Sequence, residues 1–115
     1  MMGKLTLPCP PSTNSLYRNA PGKGRVKTVR YQVWLAAARV HANDQPRWKV
    51  EGEYTLDLTV ERRRKNADLD NTIKAVSDFL VAEGYVSDDK HMTEIKVRWG
   101  DVKGCDVQVK AVGEG

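Results

Sequence analysis

The chain has 115 residues, enough for one domain with a modest core, and it is read as a single domain over 1–115. Its 19 Lys and Arg against 15 Asp and Glu leave a net charge of +4, a balance that suits a polyanionic partner. No apolar run is long enough to span a bilayer and the N-terminal residues lack the hydrophobic region of a secretory signal, so no membrane association and a cytoplasmic location are expected.

Residues 4–9 alternate, with Leu5, Leu7 and Cys9 on one side, and predict a short strand cut off by Pro8, Pro10 and Pro11. Ser12-Thr13-Asn14 opens a loop. The stretch from Arg18 to Lys27 holds Pro21, Gly22, Gly24 and the basic Arg18, Lys23, Arg25 and Lys27, and reads as a mobile basic loop without a regular element. From Thr28, which suits an N-cap, Tyr31, Trp34, Leu35, Ala38 and Ala42 recur at helical spacing until Pro46. Tyr54, Leu56, Leu58 and Val60 alternate with Thr55, Asp57 and Thr59, the signature of a half-buried strand, which runs into Arg62-Arg63-Arg64-Lys65.

After Asp68, the positions Ile73, Val76, Phe79 and Leu80 mark the apolar face of a second helix. Asp70 or Asn71 would cap its start, and Gly84 ends it near Glu83. Ile95, Val97 and Trp99 alternate with charged residues, as do Cys105, Val107, Val109 and Ala111 beyond a turn at 100–104, which predicts a terminal hairpin; residues 113–115 are expected to fray. Tyr31, Trp34 and Trp99 fit the core periodicity, Trp48 is read as a surface or dimer contact, and Cys9 and Cys105 as reduced packing residues. The order β-α-β-α-β-β predicts an α/β fold, α+β-like, in which a single mixed sheet of about four strands carries the helices mainly on one face.

The acids are concentrated. Asp68, Asp70, Asp78, Asp88 and Asp89 fall close together in an otherwise basic chain, with Lys74 among them. Gathered carboxylates are costly unless something positive sits between them, and a divalent cation is the simplest candidate. Extended backbone at 68–70 would send Asp68 and Asp70 to one side, and the strand after Asp89 would bring Asp88 or Asp89 back to them. Three carboxylates suit Mg²⁺, with Mn²⁺ as a substitute, leaving positions for water and a phosphate oxygen. Lys74 would add positive charge at the scissile phosphate or leaving group. Asp70, Lys74 and Asp78 lie four apart, one helical stripe if Asp70 starts the helix. A plainer reading is also open, in which the acids cap a helix and the stripe is a surface ion-pair ladder.

The pattern Asp68-x-Asp70-Asn71-x-x-Lys74-x-x-x-Asp78-x-Leu80, followed by Gly84 and Asp88-Asp89, resembles the core motif of the RusA family of Holliday junction resolvases. Pro10-Pro11-Ser12-x-Asn14 with Tyr17-Arg18 is similar to that family's opening motif, so the resemblance covers about residues 5–112. It implies a homodimeric, Mg²⁺- or Mn²⁺-dependent endodeoxyribonuclease, of a type often carried by phages or prophages, that nicks symmetry-related strands of a four-way junction in DNA recombination and repair. Asp68, Asp70 and Asp89 would be the metal-binding catalytic aspartates, Lys74 the catalytic lysine, and Asp88 the neighbouring family position.

Arg62, Arg63, Arg64 and Lys65 are the first candidates for phosphate contacts, being adjacent to the acids, and Arg18, Lys23, Arg25 and Lys27 the second. Asn14, Asn71, Asp78 and Asp88 are supporting candidates. The competing expectation is a junction-binding architectural protein that never nicks DNA.

Overall fold

The structure is a computed structural model that describes residues 1–113; of the expected frayed end, residues 114 and 115 lie outside the described residues. The first strand, β1 (Met2–Leu7), buries Gly3, Leu5 and Leu7 and exposes the residues between them, and Pro8 ends it. A short 3₁₀ turn at Thr13–Ser15 follows, with the Ser12 hydroxyl accepting from the Asn14 N–H. Next come β2 (Tyr17–Ala20) and β3 (Gly24–Lys27), paired antiparallel.

This hairpin replaces the expected mobile basic loop. Its strands are only four residues long and almost wholly exposed, so no apolar alternation betrays them. The turn is made by Gly22 and Gly24, both at positive φ.

Helix α1 (Val29–Asn43) begins as its sequence indicates, with the Thr28 hydroxyl accepting from the Tyr31 N–H at 3.1 Å. Its buried residues are Tyr31, Trp34, Leu35, Ala38 and Ala42. Strand β4 (Tyr54–Glu61) buries Tyr54, Leu56, Leu58 and Val60 on the face that the helices cover. Residues Leu69–Thr72 form a 3₁₀ turn before helix α2 (Ile73–Ala82), so neither Asp70 nor Asn71 caps the α-helix. Gly84, at φ 78°, ends it as expected. Strands β5 (Met92–Gly100) and β6 (Cys105–Ala111) complete the chain.

The four-stranded sheet has the order β1-β6-β4-β5. Strand β4 pairs parallel to β5 and antiparallel to β6, and β6 pairs antiparallel to β1. The last two strands are therefore not a hairpin: β4 lies between them. Their short connection passes over the end of β4, where the Glu61 N–H donates to the Gly104 carbonyl at 2.9 Å and the Gly104 N–H to the Glu61 carboxylate at 3.0 Å. Adjacent strands pair by default, and what overrides the default here is that β4, buried on one face, takes a partner on each side. The mixed sheet with helices against it otherwise matches the sequence-based fold class.

Aromatic rings tie the layers together. Tyr17, Tyr31, Trp34, Phe79, Tyr85 and Trp48 follow one another with centroids 4.7–6.4 Å apart, linking the small hairpin, both helices and the segment before β4. Trp48 is not a free surface residue. Its ring lies where a Cβ on Gly3 would sit, and its Nε1 donates to the Lys4 carbonyl at 2.8 Å. Gln45 bonds both the N–H and the C=O of Thr6 at 2.8 Å, so side chains cover the outer edge of β1. Among the described residues no helix is long and apolar enough to cross a membrane.

Candidate active site

The two sequence motifs, far apart in the chain, meet in space. Ser12 caps the turn after the prolines, and from that turn the Thr13 hydroxyl donates to the Asn71 carbonyl at 3.1 Å. Between them opens a cavity of about 350 Å³ lined by Pro10, Pro11, Asn14, Asp68, Asn71 and Trp99, with Arg30, Arg63 and Arg64 contributing guanidiniums.

Asp68 occupies the N-cap position of the 3₁₀ turn and accepts from the Asn71 side-chain amide at 3.4 Å. Asp70, exposed, lies within that turn and does not line the cavity. The chain turns at Leu69–Thr72 instead of staying extended, and of the two aspartates only Asp68 lines the cavity. The same turn removes Asp70 from the helical stripe. Lys74 and Asp78 alone form the i,i+4 pair, with Nζ to Oδ2 at 3.2 Å.

Asp89 lies elsewhere, beside a second hollow that it shares with Asp78, Val81, Ala82, Tyr31 and Lys27. Asp68 and Asp70 stand before the first turn of α2 and Asp89 beside its last, and ten residues of helix span about 15 Å. Asp88 caps the short turn Asp89–His91, and the Lys90 N–H that donates to its carboxylate at 3.0 Å is the main reason its pKa is lowered. Burial, aided by the charges of Asp89 and Asp88, raises the pKa of the Tyr54 phenol. Among the described residues no group of three or more His, Cys, Asp or Glu side chains could hold one metal ion. The aspartates are chemically right for a hard cation, but in one chain they do not fit a closed three-carboxylate site.

Each acidic group has its own basic neighbours. Arg62 donates to the Lys65 carbonyl at 2.5 Å and places its guanidinium 5.5 Å from the centroid of Trp99, while Arg63 pairs with Glu61 at 3.2 Å. Arg64 and Lys65 are exposed. On the hairpin, Arg18, Lys23, Arg25 and Lys27 are all exposed, Arg25 lying over the Tyr17 ring, and Lys27 faces the hollow of Asp89.

A family model described as endodeoxyribonuclease RusA matches residues 8–110. The chain belongs to the RusA family. That match spans both motifs and every candidate residue named above. No curated protein matches the chain. The residues that sequence reasoning passed over in this RusA-type domain are Arg30, Asn66 and Trp99. Arg30 sits on the exposed face of α1 and Asn66 between two motifs, so neither carries a signal. Trp99 packs against the core, as its periodicity indicates, and is half-buried there with part of its surface lining the cavity.

Proposed function

We propose that this protein is a structure-selective endodeoxyribonuclease that resolves four-way (Holliday) junctions, hydrolysing paired phosphodiesters in DNA recombination and repair. The observation that carries this reading is the meeting of the Pro10–Asn14 and Asp68–Asn71 segments around one arginine-lined cavity, in a chain of the RusA family. The reaction is proposed to depend on Mg²⁺ or Mn²⁺, with Asp68 and Asp70 of one chain and Asp89 of a second as ligands; such an ion would supply an activated water and charge neutralisation at the phosphate.

The chain's own residues have separate tasks. Arg63 and Arg64 attract and position the phosphodiester backbone beside Asp68. Lys74, half-exposed and free to swing from Asp78, offers a cation to the phosphate or the leaving oxygen. The exposed hairpin extends the basic surface toward a junction arm. Two symmetry-related cuts call for a two-fold pair of chains, and we propose a homodimer.

The test is nicking of a labelled four-way junction against a linear duplex of the same sequence, in Mg²⁺ or EDTA, beside Asp70→Asn. Symmetric nicks that require both the metal and Asp70, with junction binding kept or strengthened in the variant, are expected. Full cleavage by Asp70→Asn would sink the assignment, and tight binding with no nick in Mg²⁺ or Mn²⁺ would leave an architectural protein.

A further inference from the structure

The cavity beside Asp68 has a more varied lining than phosphate contacts require. Other hollows of the surface match it in volume but not in lining, and a backbone phosphate needs only a patch of cations. One part of its lining is the half-buried indole of Trp99, with the Arg62 guanidinium near its face. Pro10 and Pro11 add apolar surface, and Asn14 and Asn66 add amides that both donate and accept. Arg30 and Arg64 make no ion pair with the described residues, while Arg63 is engaged by Glu61.

An aromatic face, amides of both polarities and unpaired guanidiniums are together the chemistry that recognises a nucleotide. The ring stacks on a base, the amides read its edge, and the cations hold its phosphate. A base paired within a duplex cannot enter such a hollow, so it must leave its stack. The branch point of a junction is where unstacking costs least. Arg62, which does not line the cavity, lies over the indole at a distance typical of a cation on a ring and helps hold it in place beside the cavity.

We propose that this cavity is a nucleotide pocket that captures one unstacked base at the branch point, stacking it on the Trp99 surface that lines the cavity and reading its edge with Asn14 and Asn66. The proposal rests on the nuclease reading for its substrate and adds to it the source of base preference near the cut.

The test uses the full chain and four-way junctions in which a single abasic nucleotide is moved stepwise through the branch point, with binding measured in EDTA. At one position in each symmetry-related strand, loss of the base is expected to weaken wild-type binding roughly ten-fold. The same loss should cost Trp99→Leu no more than about two-fold, since its stacking partner is already gone. Asn66→Ala, in an exposed loop, provides a variant that leaves the core untouched. It is expected to flatten the differences among A, C, G and T at that same position. No position with an abasic penalty, or an undiminished penalty in Trp99→Leu together with unchanged base preference in Asn66→Ala, would overturn the pocket. Nicking in Mg²⁺ is scored in parallel on the same junctions. Its absence with the penalty present defeats the nuclease reading and keeps the pocket, and nicking without any penalty does the reverse.

Discussion

In the proposed reaction, Lys74 would serve two states. Its ammonium rests 3.2 Å from Asp78, an exposed i,i+4 pair of the sort worth only a few tenths of a kcal/mol, so exchange for a phosphate is easy. Lys74→Ala is expected to lower junction nicking by about 100-fold while binding changes little, measured by single-turnover cleavage beside a gel shift. The thiols make a contrasting residue-scale case. Burial pushes Cys105 up to about 12 and also raises Cys9, which is half-buried. At pH 8 an aromatic disulfide reagent should leave Cys105 unmodified in the folded protein, react slowly with Cys9, and titrate both in denaturant. On the open face of the sheet, hydrogen bonds from Arg98, one at 2.6 Å, hold the Asp57 carboxyl below its ordinary value despite partial burial. A depressed carboxylate stabilises the fold above its unfolded pKa, about 3.9, and the benefit disappears as pH falls through the lower folded value. The pair is open to solvent, so its contribution is small, and denaturant midpoints of wild type and Asp57→Asn should converge in acid.

Elements show where sequence patterns hold and where they give out. Helix α1, strand β4 and the apolar face of α2 were legible because burial on one side forces a period of 3.6 or 2 on the residues. The hairpin of β2 and β3 was not, since two four-residue strands with no fully buried residue carry too short a period to read. The pairing of β5 and β6 was misjudged for another reason: alternation identifies a strand but says nothing of its neighbour, and β4 took both sides. Only the backbone of Gly104 hinted at a special crossing. It adopts φ 74°, and a Cβ there would lie 2.2 Å from the Leu7 carbonyl oxygen. Gly104→Ala is therefore expected to destabilise the fold by about 3 kcal/mol, read from urea unfolding, as the crossing over β4 is forced apart. At the site, the Asp68–Lys74 spacing was readable because those residues are near neighbours in the chain. Their separation by a 3₁₀ turn, and the approach of Asn14 and Trp99, depend on packing that no local pattern records.

At the scale of the molecule, the placement of acids argues for more than one chain at work. Asp68 and Asp70 precede α2 and Asp89 lies by its other end, yet all three are proposed to serve one ion. A two-fold pair resolves this if the Asp89 of one chain joins the Asp68 and Asp70 of the other. Mixing equal amounts of inactive Asp70→Asn and inactive Asp89→Asn should then restore about a quarter of the active centres, since half of the dimers are mixed and each of these has one intact centre. Failure to recover any nicking would place the whole set within one chain. The basic surfaces act over a longer range. Removing the charges of Lys23 and Arg25 together should weaken junction binding and flatten its dependence on salt by about one to two units of slope.

The position of β6 has a bearing on how the sheet closes. This strand, the last of the described strands in chain order, lies between β1, the first, and β4. Without it, β1 has no strand to pair with and β4 has a bare side, so the sheet closes only once contacts of long sequence separation form. Loss of the segment from Cys105 to Ala111 would leave two strands with nothing between them.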